Sequence, residues 1–205
     1  MARPRTYDPD AVLDAAETLA ATAGPAAVTI RAVAAATGMS NGALYHSFGS
    51  RAELCARTWI RAGERFGQVQ RELVDAHPGD PVRAVIAAAG APAVFAERFP
   101  DSCRLLLGTR RAELLGTDTV PEPLTARMHA LERALIELFK ELSTALWDRR
   151  DARAVDTLTI CLVDLPTAIL LERDRLADPH ARAQLAAAVR AVLAVGPADP
   201  DHRTR

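Results

Sequence analysis

Aromatic residues are scarce in this chain: Phe, Trp and Tyr together make up 4% of its 205 residues. That disfavours a sheet-based fold, which draws on aromatic and β-branched side chains. Lysine is almost missing, Lys140 being the sole one among 25 basic residues, so arginine carries the positive charge. Cysteine is limited to Cys55, Cys103 and Cys161. An odd number at wide spacing excludes a disulfide framework and a zinc motif and suits a reducing compartment. The five histidines (His46, His77, His129, His180, His202) show no metal-ligand spacing either, so no metal and no cofactor is expected. The chain also lacks a strong charge of either sign, the net being −1, whereas many nucleic-acid-binding domains are strongly basic. Its first 54 residues do not differ, with Arg3, Arg5, Arg31 and Arg51 set against Asp8, Asp10, Asp14, Glu17 and Glu53. Arg, Asp or Glu interrupts every apolar stretch approaching membrane length, and Asp8 and Asp10 stand where a signal peptide would need an apolar core. A soluble cytoplasmic protein with no membrane partner is expected. Phosphate-cradling glycine loops, nucleophile elbows and paired-carboxylate constellations are absent, which argues against an enzyme.

What is abundant is alanine, leucine and arginine, all good helix formers, and the expected fold class is all-α. Helix starts recur as Asp8-Pro9, Asp80-Pro81 and Asp178-Pro179. Aspartate caps the free N–H groups of a first turn, and proline fits the next position because its missing N–H would be unbonded anyway. Gly24-Pro25 and Gly196-Pro197 read as stops. Short helices are expected at about 30–37 and 41–47, a long one from Ser50 to about His77, and another at about 101–115. The stripe Leu124, Met128, Leu131, Leu135, Leu138, Leu142 and Leu146 has the cleanest 3.6-residue period. Two last helices are expected at about 152–174, bent by Pro166, and at 179–194. Gly90-Ala91-Pro92 should break the helix that starts at Asp80, since proline removes a backbone hydrogen bond.

The stretch richest in information runs from Thr29 to Phe48. Thr29 is suited to cap a two-turn helix whose buried face is Ile30, Val33 and Ala34. Gly38 can take the positive φ that ends it. Ser40 then caps a second short helix with Asn41-Gly42-Ala43 at its exposed start, while Leu44 and Phe48 turn inward. A helix, a glycine turn and a second helix with small polar residues at its tip make a helix-turn-helix. In such a unit the second helix enters the major groove and its N-terminal residues meet base edges. Tyr45 and His46 can reach phosphates or bases, and Arg51 beside the Ser50 cap places a cation toward the strand.

Thr29-Ile30, the Ala34-to-Gly38 turn and Leu44-Tyr45-His46-Ser47-Phe48-Gly49-Ser50-Arg51-Ala52-Glu53-Leu54 resemble the signature of the TetR (tetracycline repressor) family. The resemblance spans about residues 7–54; beyond it only the architecture matches. It departs at Arg51, where the family usually has lysine, and in the weakly acidic total. It implies an N-terminal three-helix helix-turn-helix domain (1–52), a C-terminal helical-bundle domain for ligand binding and dimerisation (53–196), and a disordered tail (197–205). DNA contacts are expected from Thr29, Arg31, Ser40, Asn41, Gly42, Ala43, Tyr45, His46 and Arg51, with Arg3 and Arg5 as a candidate minor-groove arm. Trp59, Phe66, Phe95, Phe99, Cys103, Leu107, Met128 and Leu131 are candidates to line a site for a small hydrophobic or amphipathic effector. The helix break at 90–92 would open that site; the alternative is that the same aromatics simply fill the core. The resemblance further implies a homodimer through the last two helices, with Leu158, Leu162, Leu165, Leu185, Val189 and Val192 as interface candidates. The function it implies is a repressor on a double-stranded DNA operator. The competing reading is a helical small-molecule-binding protein whose DNA binding is weak or lost.

Overall fold

The computed structural model describes residues 8–117 and 119–199. Every regular element among them is helical. The chain falls into two compact units, one built from residues 1–63 and 101–128, the other from 64–100 and 129–205. The functional division expected at 52/53 lies inside the first unit.

In the first unit, α1 (Pro9–Ala23) opens on Asp8, whose carboxylate accepts the Asp10 N–H at 3.0 Å. A 3₁₀ turn, Pro25–Ala27, leads to α2 (Ile30–Thr37). The Thr29 hydroxyl caps α2 by accepting the Ala32 N–H at 3.1 Å, and Gly38 closes it in the left-handed region at φ 71°. Ser40 caps α3 (Asn41–Phe48) in the same way through the Ala43 N–H at 3.1 Å. The first part of α4 (Arg51–Asp75), with α7 (Pro100–Gly108) and α8 (Arg111–Leu115), completes the unit, and α8 packs on the 3₁₀ turn. The helix expected over 101–115 is thus two helices, parted at Thr109-Arg110. Val12, Ala16, Val28, Ile30, Val33, Leu44, Phe48, Leu54, Leu105 and Leu114 form the core. Burial of each of the larger side chains contributes about 1.5–3 kcal/mol.

A polar cluster is buried beside that core. Glu17 is 2% exposed, and its carboxylate takes the Arg61 Nη2 at 2.9 Å and the Ser102 hydroxyl at 2.6 Å. Arg61 also reaches Asp14 at 2.7 Å and the Asp10 carbonyl at 3.1 Å. Thr18 donates to Asp101 at 2.7 Å. Together these bonds tie α1 to α4 and α7, and a buried carboxylate survives there because a guanidinium and a hydroxyl replace its water.

In the second unit, the alanine-rich α5 (Pro81–Ala89) lets its neighbours approach closely. Asp80 caps it through the Arg83 N–H at 3.0 Å. The chain breaks at Gly90, as its sequence suggested, and resumes as α6 (Ala91–Arg98). The second part of α9 (Glu122–Trp147), α10 (Ala152–Thr159) and α11 (Pro179–Val195) pack around Val85, Ala88, Leu138, Phe139, Leu142, Leu158, Leu162, Leu170, Leu185 and Val189. The helix begun by α10 does not simply bend at Pro166. It widens into π turns at Ile160–Asp164 and Thr167–Leu171, with the Glu172 N–H bonding the Thr167 carbonyl at 2.9 Å. Five-residue hydrogen bonds spread the proline's missing donor over two turns. Contrary to the sequence reading of charge interruptions, Ala152–Leu171 is long and apolar enough to cross a membrane by length and composition, and 39% of that window is buried. Leu158, Cys161, Leu162 and Leu170 place its inner face in the unit's own core.

The segment expected as a tail begins held in place: the Ala198 carbonyl accepts from both terminal nitrogens of Arg149 at 3.1 Å, and the Asp199 carbonyl accepts from Arg153. Residues 200–205 and the arm residues Arg3 and Arg5 lie outside the described residues.

Candidate nucleic-acid interface

The helix-turn-helix turns its apolar side inward and leaves a surface of small and polar groups. Leu44 and Phe48, one turn apart on α3, are buried, as are Ile30, Val33 and Ala34 on α2. Thr29, Arg31, Ser40, Asn41, Gly42, Ala43 and His46 are all exposed, and Tyr45 is 55% exposed. Asn41 and Tyr45 stand four residues apart and so share one outward face of α3. The first turn of α3 thereby presents side chains no larger than asparagine, and a major groove can admit its backbone closely. Tyr45 follows on the same exposed face. Eight of the nine expected DNA-contact residues are therefore available to a ligand.

Arg51 is the exception. Its Nε donates to the Val28 carbonyl at 2.7 Å and its Nη2 to the Pro25 carbonyl at 3.0 Å. The guanidinium staples the first turn of α4 to the loop that enters α2, using two of its five N–H donors, and so positions the interface. The Pro25 carbonyl also accepts the Val28 N–H at 3.3 Å, so the arginine fastens onto the closed 3₁₀ turn itself.

The joint between α3 and α4 is equally specific. Gly49 sits at φ 69°, and a Cβ there would lie 2.2 Å from Glu53 Oε1. Ser50 accepts the Glu53 N–H at 3.1 Å, capping α4, while Arg57 stacks over the Phe48 ring at 5.8 Å. Sequence reasoning missed the Glu17–Arg61–Ser102 cluster that backs this scaffold. The available signal was Glu17 itself, an acid four residues from Leu13 and three from Ala20 on an otherwise apolar stripe.

The candidate effector residues divide between the units. Trp59 packs against the first unit's core, Cys103 and Met128 are buried in that unit, and Leu107 is half-buried there. Burial pushes the Cys103 thiol up to about 11 against a weaker opposing pull from Arg104, so its reactive thiolate is suppressed. In the second unit Phe66 meets Phe95 edge-on at 5.3 Å, and Phe99 follows Phe95 at 5.9 Å. Leu131 is half-buried there. Of the expected dimer residues, Leu158, Leu162, Leu185 and Val189 are at most 4% exposed within a single chain. They lie in the unit's own core, while Leu165 and Val192 are only partly covered. The outward faces of these helices carry Val163, Ala187, Ala191 and Val195 instead. Among the described residues no group of three or more His, Cys, Asp or Glu could hold a metal ion.

The exposed second helix on a three-helix scaffold has the arrangement of a helix-turn-helix domain. Residues 12–58 match the family model of bacterial regulatory proteins, tetR family. No curated protein matches the sequence. Among solved structures, a TetR-family transcriptional regulator from Streptomyces coelicolor aligns with a TM-score of 0.63 at 21% identity, covering 92% of this chain and 98% of that one. The fatty acid degradation regulator FadR from Bacillus halodurans aligns at 0.62 and 15% identity, covering 99% and 100%. The TetR-family regulator PfmR from Thermus thermophilus aligns at 0.60 and 19% identity, covering 95% and 99%. At these identities the likeness is one of fold.

Proposed function

We propose that this protein is a cytoplasmic, ligand-responsive repressor that binds a palindromic DNA operator as a homodimer and is released by a small hydrophobic or amphipathic effector. Residues 1–52 act as the DNA-binding domain and 53–196 as the sensor and dimerisation domain. The observation that carries the reading is the exposed Asn41-Gly42-Ala43 tip of α3 with Tyr45 beside it. Phosphate contacts would position the protein and the α3 tip would read bases. One recognition helix per chain calls for two half-sites about 34 Å apart, or a multiple of that spacing, on a two-fold axis. The outward face of the π segments that follow α10 and of α11 supports pairing of two copies there. It carries a groove of about 380 Å³ lined by Ala168, Ile169, Arg173, Arg175, Gln184 and Ala188, into which a partner side chain can pack. Effector binding is read as a population shift: a ligand that favours one tilt of α4, the helix that leaves the DNA-binding domain, separates the recognition helices. An apolar effector fits the Phe66, Phe95 and Phe99 cluster, and FadR, a regulator of fatty acid degradation, shares the fold.

The competing reading, a helical binding protein with weak DNA affinity, draws support from the internal use of Arg51 and the absence of a basic excess. A gel shift on the DNA upstream of the protein's own gene separates them. Saturable retardation at nanomolar protein with a symmetric footprint supports the repressor, and binding that matches random duplex supports the alternative.

A further inference from the structure

The positive charge that the helix-turn-helix is short of stands elsewhere in the first unit. Residues 102–112 hold three arginines, Arg104, Arg110 and Arg111, and no acid. All three are exposed. Arg110 has 88% of its side chain exposed and meets Glu113 only at 4.0 Å, and Arg104 meets Asp101 at the same distance. Exposed pairs of this kind hold a side chain weakly.

The fold sets two of these arginines beside the start of α2. α7 begins against α1, where Thr18 donates to Asp101 at 2.7 Å, and α8 packs on the 3₁₀ turn that follows α1. The segment 101–116 thus runs along α1 toward its C-terminal end. Leu114, 0% exposed, anchors α8 in the unit's core. Just past α8, a Cβ on Gly116 would lie 3.7 Å from Arg51 Nη1. Arg51 grips the Val28 and Pro25 carbonyls, directly before Thr29 and the first turn of α2. The elbow at 109–111, from which α8 starts, therefore belongs to the same corner of the unit as the exposed Thr29 and Arg31.

We propose that this elbow is a second DNA-backbone contact, in which Arg110 and Arg111 meet phosphates of the strand that passes the start of α2. The inference rests on the repressor reading and adds to it a contact made outside the helix-turn-helix. Residues 29–54 hold two arginines and no lysine, and Arg51 commits two donors to carbonyls. The elbow supplies the cations that this segment is short of. A guanidinium is a planar fork that meets two phosphate oxygens at once. Such a contact reads no bases: it raises affinity for every sequence and leaves the choice among them to α3.

The test uses the full chain and two duplexes of equal length, one an operator selected from random DNA and one unrelated. Arg110→Gln combined with Arg111→Gln keeps both side chains long and removes their charge. The double variant should melt within about two degrees of the parent, as exposed substitutions do. Its affinity for both duplexes should fall by a similar factor, about tenfold or more at about 0.15 M salt. The slope of log affinity against log salt should flatten by about two units for each bound chain, and by about half of that in Arg110→Gln alone. Hydroxyl-radical footprinting should show backbone protection flanking the bases that α3 covers, lost in the double variant while the central protection stays. Arg104→Gln, which removes one charge nearer the Thr18 end of α7, should leave slope and footprint as in the parent. An unchanged slope and footprint in the double variant, an equal loss from Arg104→Gln, or a double variant melting several degrees lower would each overturn the proposal. A parent that retards neither duplex removes the repressor reading and this contact with it. A parent that binds while the double variant binds equally well removes this contact alone.

Discussion

Arg51 donates its Nε–H to the Val28 carbonyl at 2.7 Å, fastening the first turn of α4 to the loop from which α2 starts. The second bond, to the Pro25 carbonyl, makes this a two-point staple across 26 residues of sequence. Hydrogen bonds to a charged donor contribute about 1.5–3 kcal/mol. Arg51→Ala should therefore lower stability by about 2 kcal/mol in a denaturant melt, and Arg51→Lys should recover only part of it, since one ammonium lacks the fork that spans both carbonyls. The slope of log affinity against log salt should stay as in the parent. A slope flattened by about one unit would mean the guanidinium leaves its carbonyls for a phosphate when DNA arrives.

The Glu17 carboxylate joins α1 to α4 through Arg61 and to α7 through Ser102. Removing one partner of a buried charge pair typically costs about 3–5 kcal/mol, because the other charge is stranded. Glu17→Ala should sit at the low end of that range, since Asp14 and Asp10 still hold Arg61. Ser102→Ala should cost about 1–2 kcal/mol. Because both remove the same hydrogen bond, the double variant should lose less than the sum of the two by at least about 0.5 kcal/mol. Strict additivity in urea melts would show that Ser102 and Glu17 do not act together.

Acid should loosen the start of α10 and of α11. The Asp151 carboxyl is held well below the usual carboxylate range, first by the side-chain bonds from Arg149 and then by the Ala154 and Arg153 N–H groups. Arg175 and the His180 N–H lower Asp178 in the same sense. A group whose folded pKa is depressed stabilises fully above its unfolded value of about 3.9, and that stability drains away as pH falls through the lower folded value. Melting temperature should be flat from pH 7 to about 5 and drop below about pH 4. Asp151→Asn should start lower at neutral pH and show a shallower acid drop. An identical acid slope in parent and variant would remove Asp151 from the cause.

The helix ends were legible because caps are local chemistry. Asp8, Thr29, Ser40, Asp80 and Asp178 all accept the N–H groups their positions suggested, and Gly38 takes the left-handed turn. The inward and outward faces of α2 and α3 followed from spacing alone. What periodicity could not show was the partner of each face. Leu158, Leu162, Leu185 and Val189 repeat at helical spacing whether they meet a second copy or their own core, and here the core takes them. Charge is equally mute: an arginine at a helix start reads the same facing a phosphate or a backbone carbonyl. Glu17 was passed over because its burial depends on helices far away in sequence.

The α3 surface carries the last prediction. Tyr45 and Asn41 share an outward face, with Ala43 two residues beyond Asn41 at the helix tip. Tyr45 is large and exposed, which suits a phosphate contact, and such a contact is blind to sequence. Tyr45→Ala should weaken binding to the operator and to unrelated duplex by a similar factor, about three- to tenfold for one lost hydrogen bond. Asn41 can pair with a base edge, as asparagine does with adenine, and a good bidentate pair discriminates by about 1–3 kcal/mol. Asn41→Ala should therefore leave affinity for random duplex nearly intact while altering which sequences emerge from a binding selection. Ala43→Ser should shift the preference as well, by adding a donor where only a methyl stood. If Tyr45→Ala changed the selected sequences and Asn41→Ala did not, the roles of the two residues would have to be exchanged and α3 would enter the groove rotated from the face described above.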